Sequence, residues 1–147
     1  MKSGSRSRSG RFMIELMMYI VLSVFMMSVF ARLYSNIIID YKKNITFLKH
    51  TDYAYHAFEV LKVDFYTHTE SFALVGDVLH IRKNDYIVGK EITLRQRDHR
   101  LVYQFGTTIQ EICHDLVDVR MKLVGDILLI ELIFSDVSYE RGFDIGT

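Results

Sequence analysis

The sequence is poor in cysteine, proline, tryptophan and glycine. Proline and tryptophan are absent from its 147 residues, and Cys113 is the one cysteine. A single cysteine excludes a disulfide within the chain, and its apolar neighbour Ile112 favours a small buried side chain at this position. Acidic and basic residues number 18 each, so the net charge indicates neither a nucleic acid nor another strongly charged partner.

The shortage of glycine and proline is most marked between Gly10 and Gly76, where neither occurs, so no residue there forces a helix to end. Apolar residues in this stretch recur at spacings of four and three, which is typical of one helix face. They are Tyr34, Ile38, Tyr41, Ile45 and Leu48, extended by Tyr55, Phe58 and Leu61. We therefore expect a helix to about residue 63, with this stripe packed on the protein's own sheet.

A long apolar run is present near the N-terminus. Its polar side chains between residues 16 and 31 are Tyr19, Ser23 and Ser28. Together with residues 12–15, the run is long enough to cross about 30 Å of hydrocarbon as a helix. The basic residues that precede it are Lys2, Arg6, Arg8 and Arg11. The positive-inside rule therefore places the N-terminus in the cytoplasm and the rest of the chain outside the membrane.

One acidic residue, Glu15, lies in the first turns of the run. A charged side chain in the middle of a bilayer costs about 3 kcal/mol even on lenient scales, so we expect Glu15 to be functional or close to the membrane surface. Cleavage after Gly10 would create a new α-amino group on Arg11 and make Glu15 the fifth residue. Glu15 could then pair with the amino terminus of a neighbouring chain, which would favour assembly of such helices.

Three interpretations of the run compete at this point. It can be a signal anchor that stays intact, or a secretory signal cleaved near Val29-Phe30-Ala31. It can also be a segment that is cut after Gly10 on the cytoplasmic side, so that the apolar helix remains with the protein.

The basic leader, Gly10, Glu15 five residues later and the uninterrupted apolar helix resemble the class III signal of type IV pilins and pseudopilins. That family usually has Phe directly after the cleavage site, whereas Arg11 precedes Phe12 here, and the proline that kinks many pilin helices is absent. The resemblance implies cleavage between Gly10 and Arg11 by a prepilin peptidase, methylation of the new amino terminus, and roles for Arg11, Phe12 and Glu15 in assembly.

The resemblance also implies partners and a location. The partners are other pilin-like subunits, both major and minor, with an assembly ATPase and a platform membrane protein acting indirectly. The protein would reside in the cell membrane and then in a surface filament. Residues 100–145 resemble more narrowly the ComGF-like minor pseudopilins of the competence pseudopilus, which implies a filament for DNA uptake.

After about residue 64 the apolar period changes from helical to alternating, which is typical of strands with one buried face. The alternation is clearest at residues 79–81, 92–94, 101–105, 117–123 and 128–134, and residues 139–145 fit an edge strand. Turns are predicted at Gly76-Asp77, Lys83-Asn84-Asp85, Asp98-His99 and Gly125-Asp126. The sequence predicts an α+β fold: a long N-terminal helix, transmembrane then amphipathic, packed on an antiparallel β-sheet. The predicted segments are a leader (1–10), a transmembrane or filament-core helix (11–31), an amphipathic extension (32–63) and a β head (64–147).

No residue pattern indicates an enzyme, a cofactor or a metal. The six histidines form no metal-binding pair, and neither a phosphate-binding loop nor a nucleophile motif occurs. The prediction is a non-catalytic filament subunit. The alternative is a signal-anchored extracytoplasmic binding or sensor domain that does not polymerise.

One cluster of basic residues is a candidate contact with DNA or with a partner subunit. Its members are Arg82, Lys83, Lys90, Arg95, Arg97 and Arg100. Clustered Arg and Lys side chains are typical of phosphate binding. The acids Asp85, Glu91 and Asp98 lie among them and dilute the charge, which favours a solvated outer face that discourages aggregation of strand edges.

Overall fold

The computed structural model describes residues 6–67, 69–84 and 91–146, and side chains from residue 11 onwards. Within these residues, one helix, α1 (Arg6–Tyr66), precedes eight strands. The strands are β1 (Thr69–Val75), β2 (Val78–Lys83), β3 (Glu91–Arg97), β4 (Arg100–Phe105), β5 (Thr108–Cys113), β6 (Asp118–Val124), β7 (Ile127–Ile133) and β8 (Ser138–Asp144). The predicted α+β fold, with a long N-terminal helix packed on antiparallel sheet, is confirmed.

The strands form two antiparallel sheets rather than one. The larger has the order β1-β2-β3-β4-β5 and the smaller the order β6-β7-β8, so strands that follow each other in the chain are neighbours within each sheet. Two-residue turns link strands at the predicted Gly76-Asp77, Asp98-His99 and Gly125-Asp126. Gly76 and Gly125 have φ angles of 62° and 60°, a region in which a residue with a Cβ is strained.

The chain divides into two compact units, Met1–Ile45 and Thr46–Thr147. We call the second unit the head. It contains all eight strands and residues 46–66 of α1. The last turns of the helix therefore belong with the sheets, although they precede the sheets in sequence.

The head has one hydrophobic core, to which α1 and both sheets contribute. The buried apolar residues of α1 are Ala54, Ala57, Phe58, Leu61 and Phe65. The ring of Phe65 lies 5.3 Å from that of Phe72 in β1 and 5.0 Å from that of Phe143 in β8, measured between centroids. One helix side chain thus contacts both sheets and joins them into a single core.

The apolar stripe predicted on α1 is correct only at its end. Phe58 and Leu61 are buried, whereas Tyr34, Leu48 and Tyr55 are about two-thirds exposed. Leu48 and Tyr55 lie within two residues of the buried His50 and Ala54, so they are exposed because they lie on another face of the helix. For Tyr34 the reason is the size of the sheet, because seven residues along a strand or five strands side by side measure only about 20 Å. At ~1.5 Å per residue, a surface of that size covers a helix of about 14 residues.

Candidate functional site

The N-terminal part of α1 is apolar and exposed. Every residue from 11 to 49 is exposed in the structure, including the large apolar side chains of residues 12–30. This single helix is long enough and apolar enough to cross a membrane. Because exposed apolar area on this scale is unfavourable in water, the surface requires lipid or protein around it.

Glu15 is the one acidic side chain on this surface before Asp40. It is exposed in α1, and its helical neighbours three and four residues away include Phe12, Met18 and Tyr19, which are each 69 % exposed. Its carboxylate forms no ion pair or hydrogen bond with any residue that the structure describes. The structure therefore presents a carboxylate without a partner in an apolar surface. Gly10, the predicted cleavage position, lies five residues earlier within α1.

Four of the predicted basic residues lie on the outer face of the larger sheet. Arg82 is 68 % exposed in its side chain and lies 4.0 Å from Glu70. Arg100 is 63 % exposed and lies 3.0 Å from Glu111. Arg95 donates a hydrogen bond to Gln104 at 2.8 Å, and the exposed Arg97 completes the set. Lys90 lies outside the described residues.

Lys83 does not belong to this surface, and its inclusion among the exposed basic residues is corrected here. Its side chain is 1 % exposed, and Nζ lies 2.9 Å from the Asp64 carboxylate. Nζ also donates to the carbonyl oxygens of Asp64 and Thr67 and to the hydroxyl of Thr69. The physical reason is its register, since Lys83 shares a strand face with the buried Leu79 and Ile81.

The ammonium group of Lys83 therefore binds the C-terminal end of α1. Carbonyl oxygens in the last turn of a helix lack intrahelical donors, and a cation is favourable there. Tyr103 lies in the same buried region, and burial together with the nearby Asp64 carboxylate raises its pKa strongly. Sequence reasoning missed this cluster, although the alternation in β2 already placed Lys83 on the core face.

A second polar cluster lies where α1 enters the head. The ring of His50 is buried, contacts the Asp136 carboxylate and stacks on Phe134 with a centroid distance of 4.7 Å. One residue earlier, Lys49 pairs with Asp115 at 2.8 Å. These contacts tie the first turn of the head to the loops that precede β6 and β8.

Two further features of the described segments bear on metal binding and on cysteine chemistry. No group of three His, Cys, Asp or Glu residues within residues 6–67, 69–84 and 91–146 could hold a metal ion. Cys113 is buried, and that burial raises the pKa of its thiol to about 12. At neutral pH the thiolate population is therefore negligible, which removes the nucleophilic form.

Comparison with protein-family models, with curated proteins and with solved structures gave no match to this chain.

Proposed function

We propose that the protein is a non-catalytic, pilin-like subunit that is processed after Gly10 and assembles into a type IV-like pseudopilus. The observation that carries this proposal is the position of Glu15, a carboxylate without a partner on an apolar, exposed helix surface, five residues after Gly10. The head supplies a folded body that can contact sibling subunits outside the membrane.

Assembly would give the Glu15 carboxylate a cationic partner. In a single helix within a bilayer, the charged carboxylate is unfavourable by about 3 kcal/mol. Cleavage after Gly10 gives Arg11 an α-amino group, which is the cation that a neighbouring Glu15 lacks. The side chains of residues 12–31, with Phe12 first, then pack against those of other subunits instead of lipid.

The proposal includes a location and a set of partners. The leader would lie in the cytoplasm, where a prepilin peptidase acts and methylates the new amino terminus, and the head would lie outside the cell membrane. An assembly ATPase and a platform membrane protein would drive extrusion of the filament. DNA uptake during competence is the process we propose for the filament, and DNA contact through the exposed arginines is a secondary proposal.

Replacement of Glu15 tests this function in cells. Glu15→Ala should insert into the membrane at the level of the unchanged protein, because it removes a charge from the apolar segment, yet it should be lost from sheared filaments. Asp40→Ala removes the next acidic side chain of the exposed helix and serves as the matched control. Incorporation of Glu15→Ala at the level of Asp40→Ala would favour the alternative, a signal-anchored binding or sensor domain.

A further inference from the structure

At two places in the head, side chains of like charge lie directly opposite each other on neighbouring strands. In the larger sheet, Arg97 of β3 is directly opposite Arg100 of β4. In the smaller sheet, Glu131 of β7 is directly opposite Glu140 of β8. Side chains in such positions have Cβ atoms about 5 Å apart, and like charges there are destabilising. Each pair therefore leaves an unfavourable interaction in the isolated head.

The positive pair is only half neutralised. Arg100 binds Glu111, with 3.0 Å between Nη1 and Oε2. The guanidinium of Arg97 has no acceptor among residues 69–84 and 91–146 of the head, and its side chain is exposed at the turn that follows β3.

The negative pair is also only half neutralised. Arg120 lies 3.7 Å from Glu131 and 3.4 Å from Asp118, so one guanidinium serves two carboxylates. Glu140 is exposed and has no cationic partner in the described part of the chain. Across residues 114–146 the acids number seven and the basic residues three.

An apolar strip borders the negative pair. Ile127, Leu129 and Ile133 lie on the same outer face of β7 as Glu131, and Ile127 is 47 % exposed. Gly142 of β8 is opposite Leu129, and a Cβ at this glycine would lie 3.2 Å from the Ile127 side chain. The absence of a side chain at Gly142 thus leaves a flat apolar surface beside Glu140, which a partner can cover.

We propose that the head docks head-to-tail on a second copy of this chain, with Arg97 of one copy paired to Glu140 of the next. The opposite signs of the two half-neutralised pairs are the basis for choosing a second copy as the partner, because each surface supplies the charge that the other lacks. The two surfaces differ, so the contact is heterologous and can repeat from one copy to the next. This inference rests on the proposed filament function and names a partner surface for it.

Charge reversal in full-length chains tests the pairing. Two copies with different affinity tags are mixed in detergent micelles, one tag is captured, and the co-captured copy is quantified. Arg97→Glu alone and Glu140→Arg alone should each reduce self-capture at least about tenfold, because each variant places like charges opposite each other across the interface. Lys62→Glu reverses an exposed charge of the head outside both surfaces, so it is the matched control and should leave capture unchanged.

Mixing the variants provides the decisive comparison. Arg97→Glu copies should capture Glu140→Arg copies at the level of the unchanged protein, because every contact between the two variants joins opposite charges. The double variant should capture itself but not the unchanged chain. No capture by the unchanged chain, or loss that mixing does not restore, would overturn the second copy as the partner. Capture does not require cleavage after Gly10, so a failure of self-capture and a failure of the proposed processing are distinguishable.

Discussion

Nζ of Lys83 lies 2.9 Å from Oδ1 of Asp64, and the Lys83 side chain is 1 % exposed. The two residues are 19 positions apart, and their contact joins the end of β2 to the last turns of α1. The ion pair therefore fixes the helix to the larger sheet at the side of the core where the chain leaves the helix.

Removal of this cation should destabilise the head. Lys83→Met leaves the Asp64 carboxylate and the Thr67 carbonyl oxygen without the Lys83 donor, and we expect a loss of about 3 kcal/mol in the free energy of unfolding. Arg82→Met, next to it but 68 % exposed in its side chain, should change the stability by less than about 0.5 kcal/mol. Urea denaturation of the detergent-solubilised chains measures both. Equal midpoints for the two variants would contradict a stabilising role for Lys83.

The contact of Phe65 with both sheets gives a second prediction. Phe65→Ala removes ring contacts with Phe72 and Phe143 at once, and we expect a loss of about 4 kcal/mol because a buried aromatic leaves a cavity. Val63→Ala, in the same helix turn but at a side chain that is 65 % exposed, should remain within about 0.5 kcal/mol of the unchanged protein. A loss for Phe65→Ala no larger than that for Val63→Ala would contradict the contact of Phe65 with both sheets.

The raised pKa of Tyr103 predicts a dependence of stability on alkaline pH. The phenol ionises near pH 10 in the unfolded chain but stays protonated in the fold. Its contribution is fully present below pH 10 and is lost as the pH rises further, by about 1.4 kcal/mol per pH unit. Tyr103→Phe should therefore lose about 1 kcal/mol less stability between pH 10 and 11 than the unchanged protein, because the unfolded phenol is about half ionised at the start of that interval. Parallel pH profiles for the two proteins would contradict this assignment.

Much of the sheet could be predicted from the sequence because its strands alternate strictly. Leu128, Ile130 and Leu132 are all fully buried, as their spacing of two requires. The sequence predicts no strand before Gly76, where β1 lies, because the burial of β1 does not alternate regularly. In β5, a register shift opposite Leu101 and Val102 brings the adjacent Ile112 and Cys113 both into the core, so no alternation identifies that strand.

The buried face of the helix and the partners of the charged residues are harder to predict, because the spacing of residues in the sequence does not reveal what packs against them. The spacing of Tyr34 and Tyr41 is that of a packed face, yet both are exposed. Lys83 was assigned by its charge alone to the surface, whereas its pairing with Asp64 depends on a contact that only the fold creates. The like-charge pairs across neighbouring strands likewise depend on strand register. The turn predicted at Asp98-His99 indicates the register of β3 and β4, but composition reveals no register.

The central claim is that cleavage after Gly10 turns a membrane helix into an assembling subunit. The most direct test is N-terminal sequencing, with intact mass, of the protein extracted from membranes of cells that produce it with a prepilin peptidase. The account predicts a mature chain that starts at Arg11, with a methyl group on its α-amino nitrogen. A chain that retains residues 1–10, or one that starts at Arg32, would contradict it.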